Sequence, residues 1–75
     1  MLILDKTEYT IELLAAMAVI GIARKKKISR TKALSKFMLS KTGQMLFDAS
    51  TGLWMNGPDY ITDEYFLEMK AGKRY

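Results

Sequence analysis

The chain contains no cysteine and no histidine in 75 residues. Without cysteine there is neither a disulfide framework nor thiol chemistry, which fits a reducing compartment. Without either residue, the common zinc sites and the Ser-His and Cys-His nucleophile pairs cannot be built. No apolar run approaches the roughly 20 residues that a bilayer span requires. Met1-Leu-Ile-Leu also lacks the basic start, long apolar region and small-residue cleavage site of a signal peptide. The expectation is a cytoplasmic single domain that carries no cofactor and no metal. A chain this short buries only about 60–65% of the surface its unfolded form exposes, so packing against a second copy or another protein is the usual remedy.

Charge of one sign is also missing over long stretches. From Arg24 to Lys41 the basic residues are Arg24, Lys25, Lys26, Lys27, Arg30, Lys32, Lys36 and Lys41, with no acidic one. From Thr42 to Met69 the acidic residues are Asp48, Asp59, Asp63, Glu64 and Glu68, with no basic one. The net charge of +4 hides this asymmetry, and the two halves should attract each other. The basic cluster suits nucleic acid or an acidic partner, or else forms a solvated or internally paired face, because helix C-termini favour cations.

What is present is helical periodicity. Only Glu12 is charged between Ile11 and Ala23, so this run reads as a helix buried inside protein, flanked by Glu8 at its positive end and lysines at its negative end. Thr7 or Thr10 is suited to cap it. Ile11, Leu14, Ala18 and Ile22 share one face; Leu13, Met17 and Ile20 share an adjacent one. Ala15, Ala16, Gly21 and Ala23 are small enough to admit a close neighbour, which makes the helix central. Met1 to Leu4 reads equally as a strand end or a staple before it.

Ser29 is a good N-cap for a second helix whose expected buried stripe is Ala33, Leu34, Phe37 and Met38. Thr42-Gly43 interrupts the pattern before Met45, Leu46 and Phe47. Asp48 to Gly52 is turn chemistry, and Leu53-Trp54-Met55 returns to the core. Pro58 at a first helical position opens a last helix, with Ile61, Tyr65 and Met69 on one face and Gly72 at its end. The expected architecture is all-α: a bundle of three or four helices at about 8–26, 30–41, 43–47 and 58–70, with a frayed tail at 71–75.

Three constellations bear on function. Asp59/Asp63 and Glu64/Glu68 are carboxylate pairs at i, i+4, yet no other ligand or nucleophile recurs near them, so catalysis is not expected. Trp54 and Met55, with Met17 and Ile20, are candidate partner-binding residues; the competing reading makes Trp54 a core plug. Arg24, Lys25, Lys26, Lys27, Arg30, Lys32 and Lys36 surround a short turn and a Ser-capped helix. That is how helix-turn-helix and ribbon-helix-helix proteins place basic side chains on phosphates. A base-reading set of Asn, Gln and Arg is absent, as is an alternating N-terminal strand.

The order Ile28-Ser29, Lys32-Ala-Leu, Lys36-Phe-Met, Ser40-Lys41-Thr42, Leu46, Thr51-Gly-Leu-Trp and Gly57-Pro58-Asp59-Tyr60-Ile61 resembles a family of short, uncharacterised bacterial proteins. The resemblance covers roughly residues 10–70. It implies an all-helical fold, no assigned activity and a kinship with small proteins encoded beside toxin-like genes. The expectation is a non-enzymatic protein–protein interaction module with a regulatory or antitoxin-like role, which self-associates or binds a heterologous protein. The alternative is a DNA-binding regulator using residues 24–36.

Overall fold

The computed structural model describes residues 6–72. The expectations for Met1–Leu4 and for Lys73–Tyr75 lie outside the described residues. Four α-helices and two single turns of 3-10 helix follow one another: α1 (Lys6–Lys26), α2 (Arg30–Leu39), α3 (Lys41–Phe47), the turns Ala49–Thr51 and Leu53–Met55, and α4 (Pro58–Gly72). The fold is all-α, and no strand occurs among the described residues.

α1 is the central element, packing on α2, α3 and α4. Its inward face is Ile11, Leu14, Ala15, Ala18, Val19, Ile22 and Ala23, all buried. Ala18 and Ile22 are completely enclosed, as are Ala33 and Phe37 of α2, Leu46 of α3 and Ile61 of α4. These residues form one contiguous core, joined by Leu53 and Tyr65. Gly21 faces Thr62 of α4, but a Cβ there would stand 3.5 Å from Thr62 Oγ1, ordinary contact distance, so the packing of α4 does not depend on this glycine.

Thr7 and Thr10 lie inside α1 rather than capping it. Threonine costs only about 0.7 kcal/mol or less within a helix, so its cap preference yields to the apolar packing that follows. At the other end, Lys27 adopts a left-handed φ of 56° and Ile28 N–H donates to Ala23 O at 3.1 Å. This six-to-one bond is a Schellman ending, and Ile28 folds onto the core as its hydrophobic partner. The chain therefore reverses within Lys27–Ser29, and Ser29 Oγ accepts from Lys32 N–H to start α2.

α2 ends earlier than its apolar pattern suggests. Ser40 leaves helical geometry, accepts Gly43 N–H on its side chain and donates that hydroxyl to Phe37 O. One residue thus closes α2 and opens α3 at Lys41, ahead of the expected start near 43. Asp48 repeats the device for the first 3-10 turn, accepting from Ser50 N–H and Oγ, and those bonds hold its carboxyl below the usual aspartate range against a weak desolvation. Gly52, at φ 73°, joins the two turns.

Candidate functional site

α2 is a ridge with a groove on either side. Looking down the helix, Ala33 and Phe37 point into the core and Thr31, Ser35 and Leu39 point outward. The expected stripe of Ala33, Leu34, Phe37 and Met38 is thus half correct: Leu34 and Met38 remain 47% and 44% exposed. The short α3 leaves that flank uncovered, because the one large apolar side chain it buries is Leu46, beside Thr42 and Gly43, while Phe47 stays 43% exposed.

The first groove lies on that flank, between α1 and α2 and closed at one end by α3. Ala15, Ala16, Val19 and Ile20 of α1 face Leu34 and Met38 of α2, with Phe47 at the end, around a volume of about 630 Å³. Glu12 and Arg30 are the charged side chains on its rim. Beside it, the outward face of α1 continues the apolar surface through Ala16, Leu13, Met17 and Tyr9, which are 45–61% exposed from Met17 to Tyr9.

The second groove lies between α2 and α4, under the end of α1. Lys26, Lys32 and Lys36 surround Ile28, Tyr65, Met69 and Gly72 in a volume of about 620 Å³. Tyr65 is wedged between Phe37, with ring centroids 6.1 Å apart, and Phe66, which it meets edge-on at 5.3 Å. Lys25 and Lys26 place their ammonium groups 4.9 and 5.7 Å from the Phe66 ring centre, within cation–π range.

The basic block is accordingly divided. Arg30 stands at the first groove, Lys26, Lys32 and Lys36 at the second, and Lys25 over Phe66. The outermost face of α2 offers Thr31, Ser35 and Leu39 rather than a cationic row. Nor do the acidic residues of α4 pair with the basic side chains of α2. Glu68 turns instead to the start of α3, accepting from Lys41 N–H, Thr42 N–H and Thr42 Oγ1, each at 2.7 Å. Burial pushes its carboxyl up, but the bonds from the Thr42 hydroxyl and the two backbone N–H groups, with the Lys41 charge, outweigh this and hold it below the usual range. The i, i+4 carboxylate pairs form no metal cluster among the described residues, where no group of three potential ligands converges.

Of the candidate partner-binding residues, Met17 and Ile20 adjoin the first groove, Ile20 lining it. Met55 is 75% exposed and Trp54 half-buried, and neither lines that groove. The core-plug reading of Trp54 therefore needs correcting: its ring only rests against the core, while its Nε1 donates to Ala49 O at 2.9 Å and braces the two 3-10 turns. Leu53 is the residue of that segment which enters the core. Leu13, Leu34, Met38 and Phe47 are the surface residues that periodicity misassigns or overlooks; only the shortness of α3 signals their exposure.

No helix of the described residues is long and apolar enough to cross a membrane. Comparison with protein-family models, curated proteins and solved structures finds no match.

Proposed function

We propose that the protein is a non-enzymatic interaction module that pairs with a second copy of itself through the outward face of α1 and the adjoining α1–α2 groove. The observation that carries this reading is a continuous apolar surface on one side of a very small domain: Leu13, Met17 and Ile20 on α1, with Leu34, Met38 and Phe47 across the groove. Contiguous exposed apolar surface of this kind marks an interaction site more often than it marks ordinary surface.

The charge along α1 favours a like partner. Glu8 and Glu12 stand near its start and Arg24, Lys25 and Lys26 at its end, so two α1 helices crossing antiparallel near Met17 bring each acidic end beside the other's basic end. Such an arrangement is self-complementary, as a two-fold interface requires. It also removes from water the side chains that a chain of this length cannot cover alone.

Sedimentation equilibrium at micromolar concentration tests it. The expected result is a dimer that becomes a monomer in Met17→Lys, with the helical signal unchanged because Met17 is half exposed and outside the core. A wild-type chain that stays monomeric to about 100 µM, where a standard-sized interface would be populated, overturns the self-pairing reading.

A further inference from the structure

We propose that the groove between α2 and α4 is a binding site for a small amphipathic carboxylate, its anionic head among Lys26, Lys32 and Lys36 and its apolar body on Ile28 and Met69. The groove lies on the opposite flank of α2 from the self-pairing surface, so the two proposals stand or fall separately.

Two independent observations converge here. The first is the composition of the walls: three lysines, no acidic residue among the described lining residues, and an apolar floor of Ile28, Met69 and the Tyr65 ring, along an open groove of about 620 Å³, a size typical of small-molecule sites. Lys32 and Lys36 are one helical turn apart on the same side of α2. Neither ammonium group has an ion-pair partner among the described residues. The second observation is Tyr65. It is only 2% exposed, its ring is held by Phe37 and Phe66, and it lines the groove. No described residue accepts from or donates to its hydroxyl, yet no fully enclosed side-chain polar atom is left unbonded. Among the described residues the hydroxyl is thus left without a protein partner, on a residue that lines the groove. Burial, with the Glu68 charge behind it, raises the phenol pKa, which keeps it protonated and a donor at neutral pH.

These features select the ligand class by elimination. Inorganic phosphate would engage the lysines but leave Ile28 and Met69 without a partner. A neutral alcohol would cover the apolar floor and leave Lys32, Lys36 and a phenol unanswered. A chain or ring ending in a carboxylate answers both, because charge-assisted hydrogen bonds from lysine and tyrosine add to burial of the apolar body.

The test titrates sodium decanoate into the isotopically labelled full chain and follows the methyl resonances of Ile28 and Met69. Met38 and Ile20 serve as internal reporters of the other groove. Expected are saturable shifts at Ile28 and Met69, no such shifts with decanol or inorganic phosphate at the same concentration, and weakening with added salt. The double variant Lys32→Gln, Lys36→Gln should lose at least about tenfold in affinity, and Tyr65→Phe about three- to tenfold. Both variants are checked for unchanged spectral dispersion away from the groove. The proposal is overturned by any of three results: decanol binding at Ile28 and Met69 as tightly as decanoate, shifts centred on Met38 and Ile20, or full affinity retained by the double variant.

Discussion

Gly43 is the residue on which the α2–α3 corner depends, and the requirement is steric. A Cβ at this position would overlap the Phe37 carbonyl oxygen, a backbone atom that cannot rotate away. The close approach exists because Ser40 ties the two helices together, donating to Phe37 O at 2.6 Å and accepting Gly43 N–H at 2.9 Å. Gly43→Ala must therefore push α3 off Phe37, itself completely buried, and is expected to cost about 1–3 kcal/mol or more. Thermal unfolding reads this directly: at about 4–8 °C per kcal/mol for a domain of this size, an unchanged midpoint would show that the corner relaxes freely. In the sequence, Thr42-Gly43 is legible as an interruption but not as a contact. Glycine's usual helix-breaking role suggests a stop, whereas here it sits inside the first turn of α3 to let a neighbouring backbone in. Ser40, which does break the helix, carries the same preference for caps as Ser29, but the apolar spacing on either side of it masks the break.

At the scale of elements, α3 shows how a helix of seven residues is sustained. Short helices are marginal alone, and the first four N–H groups of any helix lack internal partners. Here all four are answered: the N-cap Ser40 by Phe37 O at 3.1 Å, Lys41 and Thr42 by Glu68, and Gly43 by the Ser40 hydroxyl. Glu68 thereby pins α4 to α3, with a carboxylate at the positive end of the helix dipole. Because its folded pKa is depressed, its contribution is fully present above the ordinary glutamate range and is lost as pH falls through the depressed value. Acidification below that range should lower the wild-type melting temperature more than that of Glu68→Gln, which cannot titrate. At neutral pH that variant should be less stable by about 0.5–2 kcal/mol, as for loss of a cap, toward the lower figure because Glu68 is partly exposed. Parallel pH slopes for the two proteins would show that Glu68 does not report on α3. Among the described residues, the attraction expected between basic and acidic halves takes no form of side-chain pairing between α2 and α4; the tie that joins α4 to α3 is a carboxylate on backbone N–H groups. That tie is not legible in the sequence, since a carboxylate bonding backbone N–H groups 26 and 27 residues away leaves no periodic trace.

For the molecule as a whole, what periodicity reveals is the core-facing half of each helix. The i, i+3 and i, i+4 series Ile11, Leu14, Ala18, Ile22 and Ile61, Tyr65 all point inward. Periodicity does not reveal where a small bundle runs out of elements to cover a second apolar face. α1 is apolar nearly all round between Ile11 and Ala23, but three short partners enclose only one side of it, leaving Leu13 and Met17 about half exposed. The proposed antiparallel pairing makes a charge prediction that a non-specific apolar association does not. Glu12 near one end of the surface and Arg24 at the other are both exposed, and the two-fold places each opposite the other's counterpart, so every substitution is felt twice. Glu12→Lys alone and Arg24→Glu alone should each weaken the dimer by about 1–2 kcal/mol, roughly five- to thirtyfold in dissociation constant at low salt. The double variant, with the charges exchanged, should recover most of the loss, because the partner's charges exchange as well. Rim charges of this kind are screened within about 10 Å at 0.1 M salt, so the differences should shrink as salt rises while the apolar contribution persists. Sedimentation of the four proteins across a salt series measures all of this. Double-variant weakening equal to the sum of the two single effects would exclude the antiparallel arrangement, even if the chain dimerises.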